Sequence, residues 1–347
     1  MTKSRKQSRL LLFAKTFFIA SFVLSVLVVG GAWVAVNYMG PPQPPSLTET
    51  VPQEPQGGQA EPQGGLRAPE GFTAEDRREL FYTFLIVGLD SQRITDTIIV
   101  AAFDGVTNTA SAMSIPRDTR VNVRRNYRKI NVAHSAGTRF GNEPDSGIRQ
   151  LKREVRSLIG FEPDFFVEID MEAFTRIVDA IGGVSIDVPF HMRYDDPFQN
   201  LSIDIPAGVQ RLDGEQAMHF ARFRNANRGF RAITDYQRME NQQVLIAAML
   251  RSLITPASIL RIPEFISIFE ENVSTNIRPQ DVLWFASRLH EVRGADAFSA
   301  YTLPISRNSG PPNWYEFVNA PAALELINRT INPFTIPITT GDVDIVQ

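Results

Sequence analysis

The chain of 347 residues contains no cysteine. That absence excludes disulfides, thiolate nucleophiles, iron–sulfur clusters and every zinc site that uses a cysteine ligand. Histidine is scarce as well, and His134, His191, His219 and His290 are too scattered to suggest a three-histidine metal site. There is no HExxH, no GxSxG, no Walker A lysine loop and no GxGxxG, so the commonest hydrolase and nucleotide signatures are missing. No internal repeat is present. The net charge of −3 weighs against a dedicated nucleic-acid binder. A composition of 43% hydrophobic and 21% charged residues excludes disorder throughout. Acid is lacking locally: the first 40 residues hold Lys3, Arg5, Lys6, Arg9 and Lys15 but no carboxylate, so residues 41–347 carry −8.

Against these absences stands one long uncharged run, the 21 residues Thr16–Val36. About 20 apolar residues suffice to cross a bilayer as a helix. All five bases lie on its N-terminal flank, which the positive-inside rule places in the cytoplasm, and Trp33 and Tyr38 suit the opposite interface. A cleaved signal peptide has a shorter apolar core of about 7–15 residues, so the run reads as a retained anchor. Residues 40–71 then hold eight prolines and six glycines with almost nothing apolar. Such composition cannot offset the entropy of ordering and favours extended chain, which suits a spacer or an inert tether. The expected organisation is a basic cytoplasmic tip (1–15), a single-pass membrane helix (16–38), a Pro/Gly-rich linker (39–71), a large extracytoplasmic domain (72–335) and a C-terminal tail (336–347).

Within the domain, Phe81–Gly88, Thr97–Phe103 and Asn108–Ile115 read as strands, with Asp104-Gly105 turning the last two into a hairpin. Residues 145–160 read as a helix with Ile148, Leu151, Val155, Leu158 and Ile159 on one face and Gly160 at its end. A strand at Asp164–Asp170, a helix at Glu172–Ile181 and an alternating strand at Val184–Val188 follow. Helices are expected at Gly214–Phe220, Gln237–Leu253, Pro256–Glu270, Pro279–Glu291 and Pro321–Thr330, with a late strand at Phe298–Leu303. Strands and helices mix without strict alternation, which predicts an α/β fold of the α+β type: a mixed sheet flanked by helices.

Three clusters concentrate polarity. In GLDSQRITDT (88–97), Asp90 and Asp96 lie at strand ends around Arg93; they are either a pair of carboxylates for a hard cation such as Mg²⁺ or ordinary turn and cap residues. In SIPRDTRV (114–121), Arg117 follows a strand behind Pro116, suited to bidentate phosphate capture or to a surface pair with Asp118. In 219–243, Arg222, Arg224, Arg228, Arg231 and Arg238 outnumber Asp235 and Glu240. Arg222 and Arg224 would share a face of an extended segment, and Asp235, Arg238 and Gln242 would share a face of a helix. A local arginine excess in an acidic domain is either a solvated face or a site for a polyanion. His134 could join this cluster as donor or base, or be structural.

Together these segments resemble the LytR-CpsA-Psr family of cell-envelope enzymes. The resemblance rests on the ordered series GLDS…TDT, SIPRDT, KIN-x-A, the F-x-x-x-VDA-x-GGV-x-x-x-VP stretch at 174–189, and LDGEQA-x-x-F-x-R-x-R…D-x-x-R-x-x-x-Q at 212–242. It is strong over about 80–250 and weaker to about 335. It implies transfer of a glycopolymer from a polyprenyl-pyrophosphate carrier onto peptidoglycan through a new phosphodiester. It also implies a mixed sheet flanked by helices, with an apolar tunnel for the prenyl chain. By the resemblance, Asp90 and Asp96 hold Mg²⁺, Arg117, Arg222, Arg224 and Arg238 bind the pyrophosphate with Gln242 beside them, and Asp118 would orient Arg117. Two departures stand out: Asp90 and Asp96 are closer together than in many members, and Asn241 stands where many place an arginine, whose contact would be lost or supplied by Arg228 or Arg231.

Such a transfer needs negative charge stabilised at phosphorus and the nucleophile held in line. The catalytic set expected is Asp90, Asp96, Arg117 and Asp235, the last as candidate general base. Rival readings are a non-catalytic anchored scaffold or regulator that binds envelope lipid or glycan, and a polyprenyl-pyrophosphate hydrolase.

Overall fold

The computed structural model describes residues 40–45, 68–90, 93–141, 143, 145–198, 201–253, 273–289, 292 and 297–346. The expected membrane helix (16–38) and the expected helix Pro256–Glu270 lie outside the described residues, and among those described no helix is long and apolar enough to cross a membrane. In chain order the elements are β1 (Phe81–Leu89), β2 (Thr95–Asp104), β3 (Thr109–Ser114), α1 (Ala133–Phe140), α2 (Ser146–Ile159), β4 (Phe165–Asp170), α3 (Met171–Ala180), β5 (Val184–Val188), β6 (Met192–Asp196) and β7 (Leu201–Ile205). They continue with β8 (Gly208–Leu212), α4 (Gly214–Arg222), α5 (Asp235–Leu253), β9 (Val273–Thr275), α6 (Pro279–Leu289), β10 (Phe298–Thr302), β11 (Ile305–Asn308), β12 (Glu316–Val318) and α7 (Ala320–Thr330).

Six strands form one mixed sheet in the order β10-β3-β2-β1-β4-β9. The β1–β2–β3 meander is antiparallel, whereas β4 joins β1 and β10 joins β3 in parallel. Alternate side chains of a strand point to opposite faces, and β1 uses both. Phe81, Leu85 and Val87 enter the main core with Leu151, Val155 and Leu158 of α2 and Leu324 and Ile327 of α7. Tyr82 and Phe84 face the other way, into an aromatic layer with Phe103, Phe165, Trp284 and Phe285. A strand covered on both faces has no polar side, which is why this segment is a near-continuous apolar run.

A second core gathers the ribbons β5–β8 and β6–β7 under α3, α4 and α5, with Ile186, Ile203, Phe220, Phe223 and Leu245 inside. Its helices approach closely at Gly214: a Cβ there would lie 2.2 Å from the Thr175 carbonyl oxygen, and its N–H donates to Asp179 Oδ1 at 2.8 Å. Asp213 caps α4 through a reciprocal capping box with Gln216.

Both expected ends of the domain shift outward. Ala68, placed in the linker, is 1% exposed, and its carbonyl accepts from Arg156 Nη2 at 3.3 Å. Residues of the expected tail 336–347 are part of the domain as well: Ile338 is 2% exposed, Ile345 bridges to Val121, and Asp344 accepts from Asn122 Nδ2 at 2.9 Å. Isolated apolar residues in polar surroundings, Ala68 on one side and Ile338, Val343 and Ile345 on the other, make these docking points hard to read from periodicity.

Candidate functional site

Three pieces of chain meet at the C-terminal end of β1. The first is the β1–β2 connection. Gly88 pairs with Thr97 and Leu89 with Thr95, so Asp96 is the unpaired residue of a β-bulge, a device that re-aims one side chain. Thr95, fully buried, pins the bulge by donating to the Asn131 carbonyl at 2.9 Å. Asp90 folds the loop: its Oδ1 accepts from Ile94 N at 2.8 Å, and its carbonyl accepts from Arg93 N at 3.0 Å. Arg93 sits at φ 57° and reaches Glu168 Oε1 at 3.1 Å.

The second piece is the turn after β3. Pro116 fixes the lead-in, and Thr119 closes the turn onto the Pro116 carbonyl with its hydroxyl at 2.6 Å. Arg117 Nη1 then donates to Asp96 Oδ1 at 2.7 Å. Asp118 pairs with Lys129 at 2.9 Å, and its charge also favours the Arg117 cation beside it.

The third piece is the start of α5, capped by Thr234, whose hydroxyl accepts from Gln237 N at 3.2 Å while Gln237 Oε1 accepts from Thr234 N at 3.0 Å. One helical turn then presents Asp235 and Arg238, with Gln242 a turn further. Asp235 Oδ1 has Arg238 Nη2 at 3.0 Å, Arg117 Nη2 at 3.6 Å and Arg224 Nε at 3.9 Å. A shallow cleft lined by Asp96, Ser114, Arg117, Asp235, Arg238 and Gln242 opens there.

Three guanidiniums thus share two carboxylates, Asp96 and Asp235, leaving one positive charge in excess. Arg238 is only 6% exposed. Burial pulls its pKa below the ordinary arginine value, with Asp235 opposing, whereas at Arg117 Asp235 and Asp96 more than offset burial and hold the pKa above that value. Asp235 Oδ1 and Arg238 Nε are both buried without a well-aligned hydrogen bond. A buried, under-partnered guanidinium is costly, and an anion in the cleft would relieve that cost. The helix N-terminus of α5 adds its own positive dipole end.

Arg222 is not brought into this contact set. It is the last residue of α4, not part of an extended segment, and its Nη1 lies 3.7 Å from Met218 Sδ, one turn back. Phe223, fully buried, follows α4 directly and separates the two arginines. Arg231 stacks 4.9 Å above Phe190, and Arg228 is exposed. His134 also lies apart from the arginines: it is 2% exposed, with Nε2 2.9 Å from Glu168 Oε2. Sequence reasoning missed Glu168, Gln243 and Glu316. Gln243 Nε2 donates to Ser114 Oγ at 3.0 Å and to the Tyr301 carbonyl at 2.9 Å, tying α5 to the sheet. Glu316 adjoins the Arg117 turn, its N–H donating to the Asp118 carbonyl at 3.0 Å and its Oε1 accepting from Tyr236 Oη at 3.2 Å. Burial pushes its carboxyl above the ordinary glutamate range, and the Asp118 and Asp235 carboxylates add to the rise against Tyr236 and Lys129.

Among the described residues no three His, Asp or Glu side chains group to hold a metal. Asp90 and Asp96 nonetheless supply the hard oxygen donors that Mg²⁺ takes when phosphate and water complete its shell, so the donor set fits that ion beside an arginine-bound phosphate.

The family model for LytR_cpsA_psr matches residues 67–332. The chain belongs to the LytR-CpsA-Psr family. A family relative, the polyisoprenyl-teichoic acid–peptidoglycan teichoic acid transferase TagV of Bacillus subtilis (strain 168), is 27% identical over 285 residues, covering 77% of this chain and 68% of TagV. The crystal structure of B. subtilis TagV superposes with a TM-score of 0.59 at 25% identity, over 72% of this chain and 95% of that one. The regulatory protein MsrR of Staphylococcus aureus (strain Mu50 / ATCC 700699) is 25% identical over 244 residues, 68% of this chain and 67% of MsrR. The fold class expected from the sequence, a mixed sheet flanked by helices, is the fold shared with the family's TagV structure.

Proposed function

We propose that the chain is a membrane-anchored, Mg²⁺-dependent phosphotransferase that moves a glycopolymer from a polyprenyl-pyrophosphate carrier onto peptidoglycan, outside the cytoplasm. The observation that carries this reading is the convergence of Arg117, Arg224 and Arg238 on Asp235 beside Asp96, an arginine excess suited to a pyrophosphate. Membership of the LytR-CpsA-Psr family and the transferase name of TagV support it.

In this reading the acceptor hydroxyl oxygen attacks the phosphorus that bears the glycan. The P–O–P bond breaks, a phosphodiester forms, and polyprenyl phosphate leaves. Arg117, Arg224 and Arg238 hold the non-bridging oxygens and the charge that develops on the leaving phosphate, the kind of fixed electrostatic stabilisation that dominates such reactions. Asp90 and Asp96 would hold Mg²⁺, which when bound supplies further charge neutralisation at the phosphates. Gln242 lines the same cleft. Asp235 serves as the hub that spaces three guanidiniums, its Oδ1 facing Arg238, Arg117 and Arg224. Glu316, raised by burial and by two neighbouring carboxylates, is the better acceptor for the hydroxyl proton.

Reconstitution with a defined polyprenyl-pyrophosphate-linked glycan and peptidoglycan fragments tests the reading. Glycan should appear on the fragments only when both substrates and Mg²⁺ are present. Release of free glycan phosphate without acceptor dependence would make the chain a hydrolase instead. Tight lipid binding with no turnover would favour the anchored-regulator reading; MsrR carries the name of a regulatory protein.

A further inference from the structure

The residues just after the expected membrane helix do not lead away from the domain. Pro42 is buried, and its carbonyl accepts a hydrogen bond of 3.2 Å from Tyr82 Oη. Tyr82 is 2% exposed and packs edge-on against Trp284 and Phe285, with ring centroids 5.5 and 5.1 Å away. Phe84 and Phe165 extend the same aromatic layer, stacked at 5.4 Å. The docked segment reads Gly40-Pro41-Pro42-Gln43-Pro44-Pro45, in which prolines recur three residues apart. Three residues make one turn of polyproline II, a conformation with little entropy left to lose, and aromatic surfaces bind it for that reason. Burial follows the pattern: Pro42 is buried, while Pro41 and Gln43 on either side are exposed. A buried tyrosine needs a partner for its hydroxyl, and Pro42 provides it.

We propose that Gly40–Pro45 is an intramolecular strap that seats the end of the membrane helix on this aromatic layer and so holds the catalytic domain against the bilayer in one orientation. The strap rests on the anchor reading of residues 16–38. It replaces the expected role of the linker as a spacer, since both Pro42 and Ala68 are packed on the domain. The lengths decide the matter. Residues 39–71 as free chain would reach up to about 110 Å, whereas the four residues from Tyr38 to Pro42 span at most about 14 Å. From Tyr82 to Gly88, beside the phosphate cleft, is about 20 Å along β1. The cleft is thereby kept within a few tens of ångströms of the membrane (about 14 plus about 20 Å at most), where a lipid-carried pyrophosphate has to be met.

Because the chain has no cysteine, single introduced thiols report cleanly. In full-length protein, Pro42→Cys should react with a maleimide about ten-fold more slowly than Gln43→Cys, the protection given by a docked state that opens rarely. In nanodiscs, a donor dye on Val209→Cys, 76% exposed in the wild type, should transfer energy to acceptor lipids efficiently. Replacing Pro41, Pro42, Pro44 and Pro45 together by glycine should lower that transfer while the circular dichroism is unchanged. Equal reactivity at positions 42 and 43, or unchanged transfer in the glycine variant, would overturn the strap. Failure of the wild-type chain to enter nanodiscs would instead sink the anchor reading, and the thiol contrast would still decide whether the segment docks.

Discussion

Arg238 shows how one residue's placement sets its chemistry. Its guanidinium is nearly out of water, beside Asp235 at 3.0 Å but with two more arginines competing for that carboxylate. Keeping such a charge is costly, and under the proposed function a bound phosphate offsets that cost. Arg238→Gln should lower kcat/KM for the lipid-linked substrate by about 10²–10³-fold, the loss typical of one fixed donor to a developing oxyanion. Arg238→Lys should recover little of it, since an ammonium cannot reproduce the planar fork; steady-state kinetics with the two variants checks both. Glu316 gives a prediction with a pH sign. As base it must be ionised, so activity should rise with pH through its pKa, which burial and the Asp118 and Asp235 carboxylates set above 4.5. Glu316→Gln should remove that limb and cost about 10²–10⁴ in rate, the usual weight of a general base. A raised carboxyl pKa means the native state holds its proton more tightly, so its stabilising contribution is present at acid pH and lost as pH rises. The amide variant should therefore melt no lower than wild type at neutral pH, a combination of lost rate and kept stability that a structural role would not give.

At the scale of the element, the site is made by irregularities in otherwise regular structure. A bulge in β2 turns Asp96 toward Arg117, a proline-led turn after β3 presents Arg117, and the capped start of α5 presents Asp235 and Arg238. Periodicity made α2, α3 and the main strands legible, and helical spacing alone placed Asp235, Arg238 and Gln242 on one face. It could not show that Arg222 ends a helix, because the turn is imposed by burial of Phe223 in the second core, a tertiary effect. Nor could it show the hairpin β6–β7, whose segment Met192–Asp196 offers only one fully buried side chain. Gln243 was hidden for another reason: it looks like any polar helical residue until Ser114 and Tyr301 are seen at its amide. Gln243→Leu should lower kcat/KM by about 10²-fold, because a shift of about 1 Å between α5 and β3 misplaces Arg238 relative to Arg117. The same variant should lose about 1–3 kcal/mol of stability from the unpartnered Ser114 hydroxyl and Tyr301 carbonyl, which kinetics and thermal denaturation would register together.

For the whole molecule, the sheet is the structure on which both the cleft and the strap depend. One end of β1 carries the arginine and aspartate groups and the other carries Tyr82, with each face of the strand packed by a different core. The order of strand and helix patterns foretold a mixed sheet under helices, but its outer limits were set by residues that read as tail. Ile338 lies over Gly160, where a Cβ would come within 2.5 Å of its Cγ2 and where φ is +87°. Asn328 holds the same stretch, donating to the Ile338 carbonyl at 2.8 Å and accepting from its N–H at 2.8 Å. Ile345 and Val343 pack further along the main core. Ending the chain at Thr335 forfeits the full burial of Ile338 and the partial burial of Val343 and Ile345, and at about 1.5–3 kcal/mol for a fully buried aliphatic the loss comes to about 3–6 kcal/mol. Native domains have only about 5–15 kcal/mol in hand. The truncated protein should therefore melt lower by about 6 °C or more, at about 2–4 °C for each kcal/mol in a domain of this size. A melting temperature unchanged by the truncation would show that residues 336–347 lie outside the cooperative unit and that the domain closes at α7.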